Sequence, residues 1–185
     1  MRWHELFADL EGHARSLERA ERDAEVAERT RAEVGQLAIV NRLRAAESSS
    51  FTLTAIGVGS LTGRVQQVGA DWVLLAAPND VIVPLAAVAT VIDLPLASVS
   101  PQAVGAVAGR LTMSSALRAV AIDRAAVSIV LRDGGTVVGT PDRVGADFVD
   151  VAVHPPGDAP RRASVRSRTT VGFAAIGCVR RLEGR

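Results

Sequence analysis

The chain has 185 residues and a formal net charge of +1, room for one compact domain or two small ones and no global field of the kind that drives bulk nucleic-acid binding. Its single cysteine, Cys178, excludes an intrachain disulfide, and no apolar run reaches the ~18 residues of a membrane span, since Val81 to Val91 is interrupted by Pro84 and Thr90. With no apolar signal core at Met1-Arg2-Trp3-His4-Glu5 and only 3% aromatic residues, the composition predicts a soluble protein of a reducing cytoplasm, off the membrane, with cores of Val, Leu, Ile and Ala.

Residues 1–47 are expected to form a helical, coiled-coil-like arm. There is no proline from Trp3 to about Ala46, and Trp3, Leu6, Phe7, Leu10 and Leu17 follow a helical stripe. Between Leu17 and Val34 the stripe thins to Ala20, Ala24, Val26 and Ala27 among alternating Glu and Arg that pair at helical spacing. Gly12 and Gly35 are the candidate breaks. Two readings stay open for the apolar tip: it folds back onto the rest of the chain, or Trp3, Leu6, Phe7 and Leu10 dock on a protein partner or a second copy.

The remainder contains one unit twice. Residues 51–77 align with 127–153 without a gap, with about eight identities in roughly 27 positions. Val68-Gly69-Ala70-Asp71-Trp72-Val73 matches Val144-Gly145-Ala146-Asp147-Phe148-Val149. After a loop about twelve residues longer in the second copy, Val83 to Val91 matches Val171 to Val179. We therefore expect one β unit at 48–96, a linker and helix at 97–126, and a second β unit at 127–185.

Each unit reads as five short strands. In the second copy Val127, Ile129 and Leu131 alternate with Ser128, Val130 and Arg132 before an Asp133-Gly134-Gly135 hairpin, to which Gly57-Val58-Gly59 corresponds. A strand from Thr136 ends at the Val-Gly-Ala-Asp turn, Phe148 to Val153 follows, and Val171 to Val179 supplies a strand, a small-residue turn at Ala174-Ala175 and a final strand to about Leu182. Five such strands suit a small barrel. A helix at Ser115 to Arg124 precedes the second unit, and Leu37 to Arg44 plays that part for the first.

The order of strand, hairpin, glycine-containing strand, Val-Gly-Ala-Asp turn, strand, variable loop and short closing pair resembles the Sm/LSm/Hfq small barrel, with Leu75 and Val88 at positions that the family fills with apolar core residues. The resemblance implies a mainly β fold of two tandem Sm-like, SH3-like five-stranded barrels behind an N-terminal helical segment. It also implies a base-binding pocket at Asp71-Trp72 and Asp147-Phe148, where a ring stacks and a polar group reads a base edge. Pro84-Leu85 and Gly172-Phe173 stand where the family's RNA-binding pattern has a cation. Arg2-Trp3, Leu6-Phe7-Ala8-Asp9-Leu10-Glu11, Glu25 to Glu33 and both Val-Gly-Ala-Asp turns also resemble an uncharacterised actinobacterial family often labelled Fis family transcriptional regulator. No helix-turn-helix pattern accompanies them.

His4, His13 and His154 have neither metal-ligand spacing nor a Cys or carboxylate cluster, and no glycine-rich phosphate loop precedes a helix, so the sequence predicts no metal, no cofactor and no enzyme. Cys178, aligned with Thr90, reads as a buried core residue. Three surfaces remain: the Asp-aromatic turns, which the aspartate closing its own turn also explains; the loop carrying Arg161, Arg162, Arg166 and Arg168, suited to phosphates, to an acidic protein patch or to plain solvation; and the arm's tip. The expectation is a non-catalytic interaction or scaffold protein binding a protein partner, with an RNA-binding regulator as the alternative.

Overall fold

The computed structural model describes residues 3–77, 79–100, 103–105, 108–155 and 167–182. The chain divides into two compact units, residues 1–38 and 39–185.

The first unit is helix α1, Trp3–Gly35 (33 residues), about 50 Å long at 1.5 Å per residue. Gly12 lies inside it without a break, because nothing crowds that position and a lone glycine costs only about 1 kcal/mol in a helix. Gly35 ends it. Every side chain described in α1 is exposed.

The second unit is mainly β. It opens with helix α2, Ile39–Ala45, then β1 (Ser50–Ala55), β2 (Gly59–Val68), β3 (Trp72–Ala76), β4 (Val81–Pro84) and β5 (Val88–Ile92). Helix α3, Met113–Ile122, leads into β6 (Val127–Leu131), β7 (Thr136–Val144), β8 (Phe148–Val153), β9 (Ser167–Gly172) and β10 (Ile176–Arg181). The strands form one ten-stranded, open antiparallel sheet in the order β5-β1-β2-β3-β4-β10-β6-β7-β8-β9. Both halves repeat the same internal order, and β4 joins β10 in the middle.

The repeat extends to irregularities. The register shifts at Gln66 in the first half and at the aligned Asp142 in the second, each an extra residue that bends its strand. Pro141, which has no N–H to give a ladder, sits beside the second shift. Gly63 and Gly139 are aligned and identical because a side chain at either would meet the carbonyl oxygen of Ala76 or Ala152 across the ladder, at 2.6 or 2.2 Å. The small-residue turns become single 3-10 turns at Leu85–Ala87 and Phe173–Ala175.

Two apolar clusters fill the sheet unit. One gathers Leu43, Leu53, Val65, Val73, Leu75 and Val83 from the first half, the other Met113, Leu117, Ile129, Val149, Val151 and Ile176 from the second. Each takes one buried residue from the opposite half: Trp72 is buried in the second cluster and Cys178 in the first, with Leu74 and Ile82 packing on the second and Val130 on the first. This exchange ties the halves together alongside the β4–β10 pairing.

Candidate functional site

The Val-Gly-Ala-Asp turns show what identical residues do in different surroundings. In both, the turn glycine N–H donates to the aromatic residue's carbonyl at 2.9 Å, and the aspartate carbonyl accepts an N–H from the 3-10 turn, Leu85 at 2.8 Å or Phe173 at 2.7 Å. A helix also reaches each turn with an arginine: Arg44 Nη2 donates to Gly69 O at 2.8 Å, and Arg118 Nη2 donates to Gly145 O at 3.3 Å. Arg44 and Arg118 thus make α2 and α3 structural equivalents.

Only the first turn is covered. Its Asp71 Oδ1 accepts the Met113 N–H at the start of α3 at 2.7 Å, and Ala70 N donates to Leu111 O at 2.8 Å. Trp72 is 4% exposed in the cluster of Met113 and Leu117, so its ring faces protein on both sides and its indole N–H has no partner among the described residues. Asp147 is exposed, Phe148 is half-buried, and no described side chain pairs with the Asp147 carboxylate.

Of the basic loop, Arg161, Arg162 and Arg166 lie outside the described residues. Arg168, on β9, places Nη2 2.9 Å from Asp142, and Arg143 places Nε 3.4 Å from Asp150, both guanidiniums largely exposed. His154, 2% exposed, has Nδ1 3.0 Å from Pro155 O and Nε2 2.9 Å from Thr140 Oγ1. A carbonyl only accepts, so Nδ1 carries the proton; the buried imidazole fixes the end of β8. Cys178 is fully buried, and loss of hydration pushes its thiol above the usual value. Among the described residues no group of three or more His, Cys, Asp or Glu is placed to hold a metal ion. A cavity of about 270 Å³ opens where the halves meet, with Leu74, Ile82 and Val120 as walls and the 2.7 Å Arg181–Asp123 ion pair at its rim.

Helix α1 carries the largest exposed apolar set. Trp3 and Phe7 stack with ring centroids 6.4 Å apart and are 75% and 56% exposed, and Leu10 and Leu17 are more than half exposed. The side chain of Leu6 lies outside the described ones. Trp3, Leu10, Leu17 and Ala24 recur every seven residues, as do the ion pairs Glu11–Arg15, Glu18–Arg22 and Glu25–Arg29 at 2.8, 3.2 and 2.7 Å. In a heptad with Trp3 at position a, those three pairs occupy b and f, on the side away from an a/d seam that Ala20, Ala27 and Val34 continue and that His13 and Arg31 interrupt, Arg31 pairing with Glu28 at 2.7 Å. Writing residues 3–35 in sevens makes this regularity visible from sequence; the apolar stripe alone hides it.

Comparison of the chain with protein-family models, with curated proteins and with solved structures returns no match.

Proposed function

We propose that this chain is a non-catalytic scaffold that binds a helical protein partner along the α1 seam, presented from a duplicated Sm-like unit. The observation that carries the reading is the exposed heptad seam of α1, apolar at Trp3, Leu10 and Leu17, with three Glu–Arg pairs on the opposite side. A lone helix in water draws only about 0.3–0.5 kcal/mol from each such ion pair. Its usual source of stability is an apolar face packed on another element, and a seam with large residues at Trp3, Leu10 and Leu17 fits another helix by knobs-into-holes packing.

The description of the sheet unit as two five-stranded barrels draws support from the shared order β5-β1-β2-β3-β4 and β10-β6-β7-β8-β9, from the aligned bulges at Gln66 and Asp142, and from the closing strands that return to β1 and β6. Strong bending of five short strands is what those bulges supply.

The RNA-binding reading rests on the uncovered Asp147-Phe148 turn and the exposed Arg143 and Arg168. Each of those guanidiniums already has a carboxylate, and Trp72 offers no free face. The balance favours protein. The test is recovery of the tagged full chain from its native lysate, with and without nuclease, beside a Leu10→Asp, Leu17→Asp variant. Both positions are exposed, so the fold is expected to survive. A nuclease-resistant protein lost from the variant supports the proposal; the same protein retained by the variant, or RNA alone, overturns it.

A further inference from the structure

If the α1 seam receives a helix, as proposed above, the residues on and beside that seam also specify which helix. Its a positions are large toward the start, at Trp3, Leu10 and Leu17, and its d positions are small toward the end, at Ala20 and Ala27. A helix graded in this way has the complement of its own seam at its other end.

We propose that the partner helix is α1 of a second copy of this chain, laid antiparallel. An antiparallel coil sets a positions of one helix against d positions of the other. The register that overlaps the two 33-residue helices along nearly their whole length places Trp3 opposite Val34, Leu10 opposite Ala27 and Leu17 opposite Ala20. A two-fold axis repeats every layer, so the contact is isologous and closes at two copies. Each large residue meets a smaller one, which fills successive layers evenly. The layers take in Trp3, Leu10, Leu17 and Val34, all more than half exposed in the single chain. The pairs Glu11–Arg15, Glu18–Arg22 and Glu25–Arg29 stay outside, in water.

The two interruptions of the seam find places in the same register. His13 comes opposite Ala24, the smallest neighbour the seam offers an imidazole. Arg31 comes opposite Leu6, within a turn of Asp9 of the other copy at the flanking g position, so a cation that already holds Glu28 of its own helix gains a second acid nearby.

The flanks set the direction, because every charged residue at e and g is acidic: Asp9, Glu21, Asp23 and Glu28. Antiparallel helices bring g to g and e to e. Asp9 then faces Thr30, Asp23 faces Ser16, Glu21 faces Ala14 and Glu28 faces Phe7, so no acid meets an acid. Parallel helices would bring g to the e of the next heptad. Asp23 would face Glu28 on both sides and Arg31 would face Arg31, like charges that cost affinity. Trp3 would also meet Trp3 while Ala20, Ala24 and Ala27 met themselves across gaps, the uneven filling that the antiparallel register avoids.

Sedimentation velocity of the full chain over a concentration series is expected to show a species of twice 19.3 kDa and nothing larger, and Leu10→Asp with Leu17→Asp is expected to give monomers. Thr30→Lys, at an exposed position that faces Asp9, is expected to tighten the dimer several-fold at low salt, since two ion pairs are gained per dimer. In a parallel coil that lysine would face Gly35 and change nothing. Direction is also read with a short bismaleimide on chains carrying Leu10→Cys or Ala27→Cys, the wild type with its buried Cys178 serving as the blank. The two variants mixed are expected to link to each other, and neither alone to itself, because like positions lie about 25 Å apart at 1.5 Å per residue. Linking of either variant to itself, a dimer that survives Leu10→Asp with Leu17→Asp, or a dimer that Thr30→Lys leaves unchanged or weakens overturns the proposal; the lysine leaves every layer intact, so this arm stands even if a cysteine variant does not associate. A monomeric wild type also overturns it. If such a monomer still recovers another protein in a manner that Leu10→Asp with Leu17→Asp abolishes, only the self-pairing fails; if it recovers none, the reading of the seam fails with it.

Discussion

The turn at Asp71-Trp72 and the turn at Asp147-Phe148 share two backbone hydrogen bonds and each receives an equivalent arginine, Arg44 or Arg118, yet one is an internal joint and the other a surface. The difference lies in the element that packs over each. The first turn lies under α3, whose start takes the Asp71 carboxylate and whose Met113 and Leu117 share a core with Trp72. Among the described residues no helix start covers the second turn in that way. A repeated motif thus carries no role of its own; the neighbour supplied by the next copy makes it a joint.

Substitutions in matched pairs test this comparison, each read as the change in denaturant midpoint on dilute protein. The largest difference is expected at the aromatic residues: Trp72→Ala costs about 3–5 kcal/mol as a buried cavity, and Phe148→Ala no more than about half as much. Equal losses would mean that Phe148 is as deeply engaged as Trp72. Next come the turn glycines. A methyl on Gly69 would stand 2.5 Å from the Leu111 carbonyl as well as against the indole, whereas the three atoms nearest a methyl on Gly145 all belong to the half-exposed ring of Phe148, which can swing aside. Gly69→Ala is expected to cost about 1–3 kcal/mol and Gly145→Ala less.

Smaller effects sharpen the comparison. Arg44→Gln removes a short, partly buried hydrogen bond to Gly69 O and should cost about 1.5 kcal/mol; Arg118→Gln, at a longer exposed bond, should stay within about 0.5 kcal/mol. Asp71→Ala releases the Met113 N–H and should cost about 1 kcal/mol, with Asp147→Ala nearly neutral. A destabilising Asp147→Ala in monomeric protein would show that its carboxylate has a partner after all.

Much of the strand pattern was legible because it is local chemistry. Alternation from Val127 to Leu131, the positive-φ glycine of the Asp133-Gly134-Gly135 turn and the run Phe148–Val153 each fix an element within a few residues. The equivalence of α2 and α3 was harder to read. The spacing from helix to first strand differs by about two residues between copies, so an ungapped alignment passes over Leu43/Leu117 and Arg44/Arg118. The heptad in α1 was legible but diluted, since Ala24 and Ala27 carry little apolar weight.

Local patterns sufficed for a charged helical arm followed by one β unit written twice, with turns and strands in corresponding places. Periodicity and turn chemistry act over a few residues, and a repeat multiplies their signal. Long-range packing settles that the two units share a single sheet through β4 and β10, that Trp72 serves the second core and Cys178 the first, and that one Asp-aromatic turn is closed while the other is open. Those outcomes depend on contacts between segments far apart in the chain, such as Asp71 with Met113, where no residue's own preference announces its partner.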